Sequence, residues 1–485
     1  MEKNTLPSSA IMKEHLQAGR AVRRCTLMAL LVSAVVSAPI TGSVRTAAQS
    51  QLSYRIVSIS AGASPSAARI GDLDGDGLND IAVVNLQGSL QLLFNNGAGS
   101  FDRLSLNGLW PPSARTLDVD IGDLNGDGRN DIAVAFSTQT GAVSVLLNQG
   151  GRTFSAPDNY DSCNSSNGVV IGDLDHDGDN DLADISQCSK SSVLLNDGHG
   201  SLVLSGTYGN GSDSRSIALA DFNRDGFEDI AYLNNGFNGN GSVTVIINNT
   251  NGTFGAPIHL YAGDLPDDLT VGDFDGDGNT DIAVSNSYYS LVIILLSNGQ
   301  GSFPGYSELD GGLDPTNIAS GDFNGDGRLD YAVTSWGNNS LSVFLNQGNY
   351  NFAAAGTFYV PQSPVGIAVG KLDDDSLPDL VVVNQGSGSI TVLLSGADAT
   401  PPPPPPPITV TVSTRTTGKA RLVDLRWSGA QSTSVDIYRN GSRIATVSNT
   451  GTYTDQFGKR ATGTYSYKVC AAGGQQCSNE AAISF

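Results

Sequence analysis

The sequence predicts an all-β protein, a seven-bladed β-propeller followed by a small β-sandwich. Three observations lead to this fold class. A segment of about 50 residues occurs seven times, every copy reads as short strands between Gly- and Asn-rich turns, and no window has the apolar period of a helix. Copies of one unit at a fixed period bury their apolar faces against their neighbours, as the blades of a propeller do.

A nine-residue acidic loop marks each copy. In the first copy, residues 72–80 read Asp-Leu-Asp-Gly-Asp-Gly-Leu-Asn-Asp, with carboxylates at loop positions 1, 3, 5 and 9 and glycine at position 6. The seven loops, numbered 1 to 7, start at residues 72, 123, 173, 221, 273, 322 and 371, at intervals of 51, 50, 48, 52, 49 and 49 residues. This spacing indicates duplication of a single structural unit.

Four strands are predicted for each unit. A short apolar strand such as 217–220 enters the loop, a second such as 131–135 leaves it, and a third such as 144–148 runs to an Asn/Gly turn. Runs of β-formers between turn residues are typical of strands. An aromatic or leucine side chain then opens the fourth strand. These positions are Phe101, Phe154, Leu202, Phe254, Phe303 and Phe352.

The two ends of the repeat region predict how the ring closes. The seventh unit has three strands and stops at residues 395–396 without a fourth, whereas residues 52–59 form a strand that precedes the first loop. We expect this N-terminal strand to complete the seventh blade, because closure removes the exposed sheet edges of an open array. The predicted propeller spans residues 49–396.

Loops 1 to 6 have the composition of a calcium site. Ca²⁺ takes hard oxygen ligands, so alternate carboxylates, a main-chain carbonyl at position 7 and a glycine for the sharp turn suit it. An EF-hand is excluded, since position 12 is never Glu and strands, not helices, flank the loops. The six complete loops predict about six structural Ca²⁺ ions. The predicted ligands are Asp72, Asp74, Asp76, Leu78, Asp80, Asp123, Asn125, Asp127, Arg129, Asp131, Asp173, Asp175, Asp177, Asp179, Asp181, Asp221, Asn223, Asp225, Phe227, Asp229, Asp273, Asp275, Asp277, Asn279, Asp281, Asp322, Asn324, Asp326, Arg328 and Asp330.

The loops are not equivalent. Position 3 is Asp in loops 1, 3 and 5 but Asn in loops 2, 4 and 6, which predicts weaker binding in the second group because ligand charge helps to set Ca²⁺ affinity. Loop 7 has Lys371 at position 1 and Ser376 in place of the turn glycine, so no metal is expected there. Its lysine ammonium could instead lie among Asp373, Asp375 and Asp379, or be an unrelated surface group.

Composition and the N-terminus indicate an exported protein. The chain carries 26 Lys and Arg against 48 Asp and Glu, a net charge of −22, which argues against a nucleic acid partner. Residues 1–48 resemble a targeting segment: three arginines precede the apolar run 26–36, which is shorter than a typical membrane span. Cleavage after Ala48 fits, and the Arg23-Arg24 pair leaves twin-arginine export open. We expect a secreted or cell-surface protein with no membrane span after cleavage.

The cysteines agree with an oxidising compartment. Domain membership favours the pairs Cys163–Cys188 and Cys470–Cys477, with zinc binding as a weaker alternative because no CxxC motif is present.

Residues 397–407 contain seven consecutive prolines and are predicted to form a stiff linker. Residues 408–485 then read as a small β-sandwich, with Trp427 in its second strand.

Two resemblances follow from these motifs. The six loops of form D-x-[DN]-x-D-G-x-x-D, each followed by an apolar strand, resemble the FG-GAP/VCBS repeats of integrin α-subunit N-terminal propellers over residues 51–396. The resemblance implies Ca²⁺ on one face of the ring and partners on the opposite face. Residues 463–471, Gly-Thr-Tyr-Ser-Tyr-Lys-Val-Cys-Ala, resemble a late strand of fibronectin type III domains.

The sequence contains little that indicates catalysis. No nucleophile elbow, phosphate loop or zinc signature is present, so a non-catalytic adhesion or recognition module for an extracellular protein or glycan is predicted. A lectin or a polysaccharide lyase-like enzyme is the alternative.

Carboxylates on connections away from the metal loops could serve acid/base chemistry: Asp264, Asp267, Asp268, Asp310 and Asp314. Aromatic residues on the same side could stack on a ligand or pack between blades: Trp110, Tyr288, Tyr289 and Trp336.

Overall fold

The computed structural model describes residues 52–485 except 98, 139–141, 162–164, 187–190, 210–212, 236–240, 397–407, 419, 429–433 and 472–476. In these residues every regular element is a β-strand. The chain divides into two compact units, Met1–Ala397 and Asp398–Phe485. The predicted targeting segment, the polyproline linker and the Cys163–Cys188 pair lie outside the described residues.

Each repeat forms one antiparallel four-stranded sheet, and the described residues contain seven such sheets in the first unit, in agreement with the predicted blades. Blades 1 to 3 consist of β2 (Pro65–Gly71), β3 (Asp80–Asn85), β4 (Ser89–Asn95) and β5 (Phe101–Asn107); β6 (Arg115–Gly122), β7 (Asp131–Ser137), β8 (Ala142–Leu146) and β11 (Asp158–Asp161); and β12 (Ser166–Gly172), β13 (Asp181–Ser186), β14 (Ser191–Asn196) and β15 (Leu202–Tyr208). A short ribbon, β9 (Asn148–Gly150) with β10 (Thr153–Phe154), follows β8.

Blades 4 to 7 repeat the arrangement. They consist of β16 (Ser214–Ala220), β17 (Asp229–Asn234), β18 (Ser242–Ile246) and β19 (Ile258–Tyr261); β20 (Asp268–Gly272), β21 (Asp281–Asn286), β22 (Leu291–Leu296) and β23 (Gly305–Asp310); β24 (Pro315–Gly321), β25 (Asp330–Ser335), β26 (Ser340–Asn346) and β27 (Phe352–Tyr359); and β28 (Pro364–Gly370), β29 (Asp379–Asn384), β30 (Ser389–Leu394) and the N-terminal β1 (Arg55–Ser60).

The ring closes as predicted. β1 pairs antiparallel with β30, from Arg55 opposite Leu394 to Ser60 opposite Ser389, and so becomes the outer strand of blade 7. The first strands of consecutive blades contact one another, and β28 contacts β2. The N-terminal strand therefore joins the two ends of the repeat array.

The second strand of each blade shows why a single blade would not be stable alone. All six residues of β21, Asp281–Asn286, are buried, although their side chains point alternately to opposite faces of the sheet. Both faces are covered because each blade packs between two others. One apolar cluster, for example, joins Val84 and Leu92 of blade 1 to Val119, Ile132 and Val134 of blade 2.

Polar contacts link the innermost strands around a central channel of about 380 Å³. Asp118 and Asp120 of blade 2 accept hydrogen bonds from the amides of Val169 and Ile171 in blade 3, at 3.2 and 2.8 Å. Arg69 of blade 1 pairs with the same two carboxylates at 3.5 and 3.4 Å. These half-buried acidic groups therefore link blade 2 to blades 1 and 3.

The second unit is a sandwich of two sheets. Its strands are β31 (Thr409–Thr416), β32 (Ala420–Ser428), β33 (Ser434–Arg439), β34 (Ser442–Ser448), β35 (Thr452–Gly458), β36 (Thr464–Ala471) and β37 (Ala481–Ser484). One sheet has the order β31-β32-β35 and the other β34-β33-β36-β37. Trp427 of the first sheet packs with Ile437 and Tyr467 of the second, and the predicted Cys470–Cys477 disulfide is present.

No helix with the length and apolar character for crossing a bilayer occurs in the part of the chain that the structure describes.

Candidate functional site

The acidic loops all connect the first strand of a blade to the second, so they lie at one end of the propeller. In loop 1 the pairing of Gly71 with Asp80 closes the loop at its base. Gly75 and Gly77, at positions 4 and 6, have φ angles of 82° and 88°. A side chain is strained in this left-handed region, which explains the glycines there. Position 4 nevertheless carries His176 in loop 3 and Arg224 in loop 4, with φ of 65° and 63°.

The position 1 carboxylate organises the loop backbone. Asp72 accepts hydrogen bonds from the amides of Gly75 at 2.7 Å and Gly77 at 3.0 Å, one on each oxygen. Asp273 makes the equivalent bonds to Gly276 and Gly278, at 2.7 and 2.9 Å. The two turn glycines therefore orient their N–H groups toward position 1.

The position 9 carboxylate has a structural role that sequence reasoning missed. Asp80 accepts one hydrogen bond from the Leu73 amide and one from the Asn95 amide, both at 2.8 Å. The equivalent aspartate in each of the seven loops, including Asp379 of loop 7, makes the same pair of bonds. This side chain ties the loop to the end of the third strand. Nothing in the loop motif signals the second bond, because its donor lies 15 to 19 residues away.

Burial has an electrostatic consequence at position 9. These aspartates are fully buried, and desolvation raises their pKa values against the opposing effect of the two amide hydrogen bonds. The pKa rises to about 6 for Asp80, Asp131, Asp181, Asp229 and Asp379, and to about 7 for Asp281 and Asp330.

Three loops bring enough carboxylates together to hold a metal ion. Oxygen atoms of positions 1, 3 and 9 lie within 4.8 Å of one another in loops 1, 3 and 5, the loops with Asp at position 3. These groups are Asp72, Asp74 and Asp80; Asp173, Asp175 and Asp181; and Asp273, Asp275 and Asp281. A set of three hard oxygen donors, each with lone pairs beyond those used by backbone amides, fits a divalent cation of the calcium class.

Position 5 is not part of these three groups. Instead, Asp76 accepts a hydrogen bond from the amide of Leu78 at 2.9 Å. In loops 2 and 6, position 7 is arginine, and its guanidinium pairs with the position 5 carboxylate of the same loop, Arg129 with Asp127 and Arg328 with Asp326. One negative charge in each of these loops is therefore already balanced by the protein.

Two position 3 carboxylates are contacted by the next blade. Arg152, in the turn after the third strand of blade 2, donates to Asp74 of loop 1 at 2.8 Å and also pairs with Asp102 at 3.1 Å. The Tyr350 hydroxyl, in the equivalent turn of blade 6, donates to Asp275 of loop 5 at 2.9 Å. These contacts could not be found from the loop motif, because the partners are more than 70 residues apart.

Asparagines at the end of the third strand join successive loops. Asn148 of blade 2 donates its side-chain amide to the Leu73 carbonyl in loop 1, at 2.8 Å, and to the carbonyl of Asn130 in its own loop, at 2.9 Å. Asn95, Asn196, Asn248 and Asn346 make the equivalent contacts. Blades 5 and 7 have Ser297 and Ser395 there. Five of the seven pairs of neighbouring loops are thus linked by an asparagine.

Loop 7 differs from the sequence-based prediction. The Lys371 side chain is exposed and forms no ion pair with a described carboxylate, so the placement of its ammonium among Asp373, Asp375 and Asp379 was wrong. The cation that acts on the pKa of Asp373 is Arg55 of the closing strand: burial raises this pKa and Arg55 opposes the rise. The exposed lysine ammonium keeps its hydration, which it would lose beside the buried Asp379 carboxylate.

The four candidate aromatic residues lie at the opposite end of the propeller, where two are buried and two are exposed. Trp110 is 5% exposed and donates from Nε1 to the Ser144 hydroxyl at 2.7 Å, and Tyr289 is 7% exposed and donates to Asp264 at 2.8 Å. These two therefore follow the packing alternative of the sequence analysis, and the ligand-stacking alternative is wrong for them. Tyr288 and Trp336 are 41% and 57% exposed.

Tyr288 and Trp336 line a common cavity of about 440 Å³ between blades 4, 5 and 6, called the blade 5 groove. Leu265, Asp267 and Asp314 also line it. Of the five acid/base candidates, Asp267 and Asp314 are therefore the two that face this groove. The other three are engaged in hydrogen bonds within the protein. Asp264 accepts from the hydroxyls of Tyr261 and Tyr289, and Asp268 accepts from the amides of Leu269 and Ile318. Asp310 accepts from the amide of Gly312.

Solved structures of low sequence identity are similar in fold. BBS1N in complex with ARL6DN, soaked with mercury, has a TM-score of 0.50 at 13% identity, covering 72% of this chain and 97% of that chain. Sqt1 of Saccharomyces cerevisiae has a TM-score of 0.47 at 10% identity, covering 71% and 100%. The extracellular domain of the putative hybrid two component system BT3049 from B. thetaiotaomicron has a TM-score of 0.45 at 13% identity, covering 89% and 57%. No curated protein matches the sequence.

The repeats themselves match a family model. The FG-GAP-like repeat is found at residues 72–134, 123–183, 221–284, 273–333 and 322–382, each match beginning at position 1 of an acidic loop and ending in the second strand of the following blade. These segments cover more than half of the chain. The chain therefore belongs to the FG-GAP-like repeat family, with a β-propeller built from those repeats.

Proposed function

We propose that this chain is a secreted or cell-surface, calcium-stabilised β-propeller that acts as a non-catalytic adhesion or recognition module. Its partner is an extracellular protein or glycan, bound at the end of the ring opposite the acidic loops. The carboxyl-terminal unit, interpreted as a fibronectin type III-like domain on a proline-rich linker, extends the same extracellular module. Export depends on the targeting segment predicted in residues 1–48.

The observation that carries the proposal is the difference between the two ends of the propeller. The loop end gathers carboxylates, whereas the opposite end exposes Tyr288 and Trp336 beside a cavity of about 440 Å³. Large aromatic side chains are costly to leave in water and are enriched where proteins bind other molecules. A cavity of this volume lies within the range of ligand-binding clefts.

Calcium supports this role structurally. We propose about six Ca²⁺ ions, bound most tightly in loops 1, 3 and 5, where three carboxylates lie within 4.8 Å of one another. Loops 2, 4 and 6 lack the position 3 carboxylate, and the arginine pairs of loops 2 and 6 reduce their charge further. Bound Ca²⁺ relieves repulsion among the carboxylates and holds the first hairpin of each blade, leaving the far end free for a partner.

A carbohydrate-active enzyme, such as a polysaccharide lyase-like propeller, is the second candidate. The observation that favours it is that two carboxylates, Asp267 and Asp314, face the same groove as the exposed rings. An acid/base pair on a glycan needs two such groups. Against this candidate, the groove has a single arginine, Arg215, which is paired with Asp213 at 3.3 Å, so its carboxylates outnumber the positive charge that an acidic sugar would need.

The experiment that separates these functions measures binding and turnover together. The full chain, saturated with Ca²⁺, is incubated with extracellular matrix proteins and with neutral and acidic polysaccharides. We expect retention of the chain on one class of partner without release of shortened or unsaturated sugars. Product release that is lost in Asp267→Asn and Asp314→Asn variants would establish the enzyme instead.

A further inference from the structure

We propose that the blade 5 groove is a binding site for a glycan that carries no acidic groups, with Trp336 and Tyr288 as the stacking surfaces. This inference rests on the proposed recognition function and specifies its ligand. The groove is taken as the surface between Leu265, Asp267, Tyr288, Asp314 and Trp336, bordered by Arg215.

Exposed apolar side chains are concentrated on blades 5 and 6, at the end of the ring where the groove lies. Among the described residues, nine large hydrophobic side chains are exposed, and five of them lie on blades 5 and 6 at the end opposite the loops. They are Leu265, Tyr288, Leu313, Trp336 and Tyr359, and the first, second and fourth of these line the groove itself. Such clustering marks a contact surface, whereas single exposed apolar residues are ordinary.

The walls of the groove are held in place before any ligand binds. Asp267 accepts a hydrogen bond from the Ser287 amide at 2.7 Å, which joins the connection before β20 to the turn after β21. Asp264 accepts from Tyr261 and Tyr289, both at 2.8 Å, and fixes the same connection from the other side. The Tyr288 ring packs edge-on against Tyr289, with centroids 5.1 Å apart. A preformed site avoids the entropic cost of ordering loops on binding.

The polar groups of the groove suit hydroxyls. Asp314 and Asp267 supply carboxylate oxygens that accept hydrogen bonds from O–H groups, and Thr316 supplies a hydroxyl. Sugars combine such hydroxyls with flat apolar C–H faces, which pack on aromatic rings. A purely apolar ligand would leave the carboxylates desolvated and unpaired, at a cost.

The charge of the groove argues against an acidic glycan. Arg215 is paired with Asp213 at 3.3 Å, and when the Asn235 side-chain amide is oriented with its oxygen toward the guanidinium, that oxygen accepts hydrogen bonds from it at 2.9 and 3.3 Å. The groove therefore has one arginine, itself paired with Asp213, against the two carboxylates Asp267 and Asp314, so its formal charge is negative. The remaining charged residues of the groove are Asp267 and Asp314, which repel uronates and sulfates and accept hydrogen bonds from neutral sugars.

The test is an array of immobilised neutral, amino-bearing and acidic glycans, probed with the full chain in Ca²⁺. We expect binding to glycans that lack acidic groups and none to the acidic ones. Trp336→Ala should weaken this binding about tenfold or more, and Tyr288→Ala by a similar or smaller factor. Aromatic side chains that become buried when a ligand binds carry much of the binding free energy. The thermal melt of each variant is measured to show that it folds.

Tyr359→Ala is the matched control, since Tyr359 is 83% exposed on the same blade as Trp336 but does not line the groove. We expect this variant to bind the glycan like the unchanged chain. Asp314→Asn should weaken neutral-glycan binding without lowering the melting temperature, because asparagine also tolerates the left-handed φ of 49° found there.

Three results would overturn the inference. One is binding confined to acidic glycans, and another is glycan binding that survives both aromatic substitutions. The third is an array without any binding while a protein partner is retained through Tyr359 and Trp336 alike. That third result would leave the proposed recognition function in place, whereas the absence of any extracellular partner, glycan or protein, would remove both.

Discussion

Loop 5 and loop 7 occupy the same place in their blades but differ in chemistry. In loop 5, Asp273 binds the amides of Gly276 and Gly278, whose φ angles are 81° and 85°. Loop 7 has Lys371 at this position, and neither its position 4 nor its position 6 adopts a positive φ. The position 9 carboxylates nevertheless make the same two backbone bonds, Asp281 at 3.2 and 2.8 Å and Asp379 at 2.6 and 2.7 Å.

The comparison separates two roles within one motif. Position 9 connects the loop to the third strand and persists where no metal is expected, so it is a requirement of the blade. Position 1, with a left-handed backbone at positions 4 and 6, shapes the loop so that carboxylates converge in loops 1, 3 and 5, so it is a requirement of the metal site. The following predictions test this division, from the largest expected effect to the smallest.

Removal of Ca²⁺ should have the largest effect. With EGTA the melting temperature of the propeller should fall by more than about 10 °C, because each ion present at 100 times its dissociation constant contributes about 2.7 kcal/mol. Calorimetry with and without the chelator measures this, with EGTA supplemented by excess Ca²⁺ as the control. An unchanged melt would show that the loops are not metal sites in solution.

Substitutions in the two loops should respond differently to Ca²⁺. Asp379→Ala leaves the buried amides of Leu372 and Ser395 without a partner and should lower the free energy of unfolding by about 2–4 kcal/mol in Ca²⁺ and in EGTA alike. Asp273→Ala should destabilise by about 2–3 kcal/mol in Ca²⁺ only, since its hydrogen-bond donors are exposed. Urea unfolding of both variants in both conditions is the measurement. A Ca²⁺-dependent effect of Asp379→Ala would assign a metal to loop 7.

The pH dependence of Asp379 should be visible in Asp379→Asn. Burial raises the pKa of this carboxyl from 3.8 to about 6 in the folded protein. The folded state therefore binds the proton more tightly, so the cost of burial is absent below pH 3.8, grows as the pH rises toward 6, and is complete above it. Relative to Asp379→Asn, the unchanged chain should lose about 3 kcal/mol of stability between pH 4 and pH 7 in EGTA. A constant difference between the two proteins would contradict the shift.

The smallest effect is expected from the Arg152 contact with loop 1. Its guanidinium lies 2.8 Å from Asp74 and is partly exposed, so it competes with Ca²⁺ only weakly. Arg152→Ala should raise the Ca²⁺ affinity of loop 1 about two- to fivefold, corresponding to about 0.5–1 kcal/mol. Tyr350→Phe, which removes an uncharged contact to Asp275 in loop 5, is the control and should change affinity less. Calorimetric titration with Ca²⁺ measures both, and weaker binding in Arg152→Ala would assign the arginine a positioning role.

Local pattern was enough to predict the blades and their closure. The strand sequence of each unit, the loop spacing and the unpaired strand before loop 1 are all readable along the chain, and β1 does pair with β30. The alternation of apolar and polar residues in a strand, and the turn residues that end it, involve only a few neighbouring positions. The strands and their boundaries can therefore be predicted from the sequence alone. The pairing of Cys470 with Cys477 was predictable because both cysteines lie in the same carboxyl-terminal domain.

Contacts between blades were decided by the tertiary structure. Trp110 and Trp336 both lie next to inner strands at the same end of the ring, yet Trp110 is covered because it packs against Phe136 and reaches Ser144, while Trp336 stays 57% exposed. Lys371 likewise points to water, and Arg55 acts on Asp373 in its place.

The sequence by itself determined the repeat, the strand order and the carboxylates available for metal. The folded ring decided which of those groups meet a cation, an amide or solvent. The physical reason is distance along the chain. A strand or a loop is specified by residues within about ten positions of one another, whereas Arg152 meets Asp74 and Asn148 meets Leu73 across 78 and 75 residues. Such contacts exist only once neighbouring blades have packed.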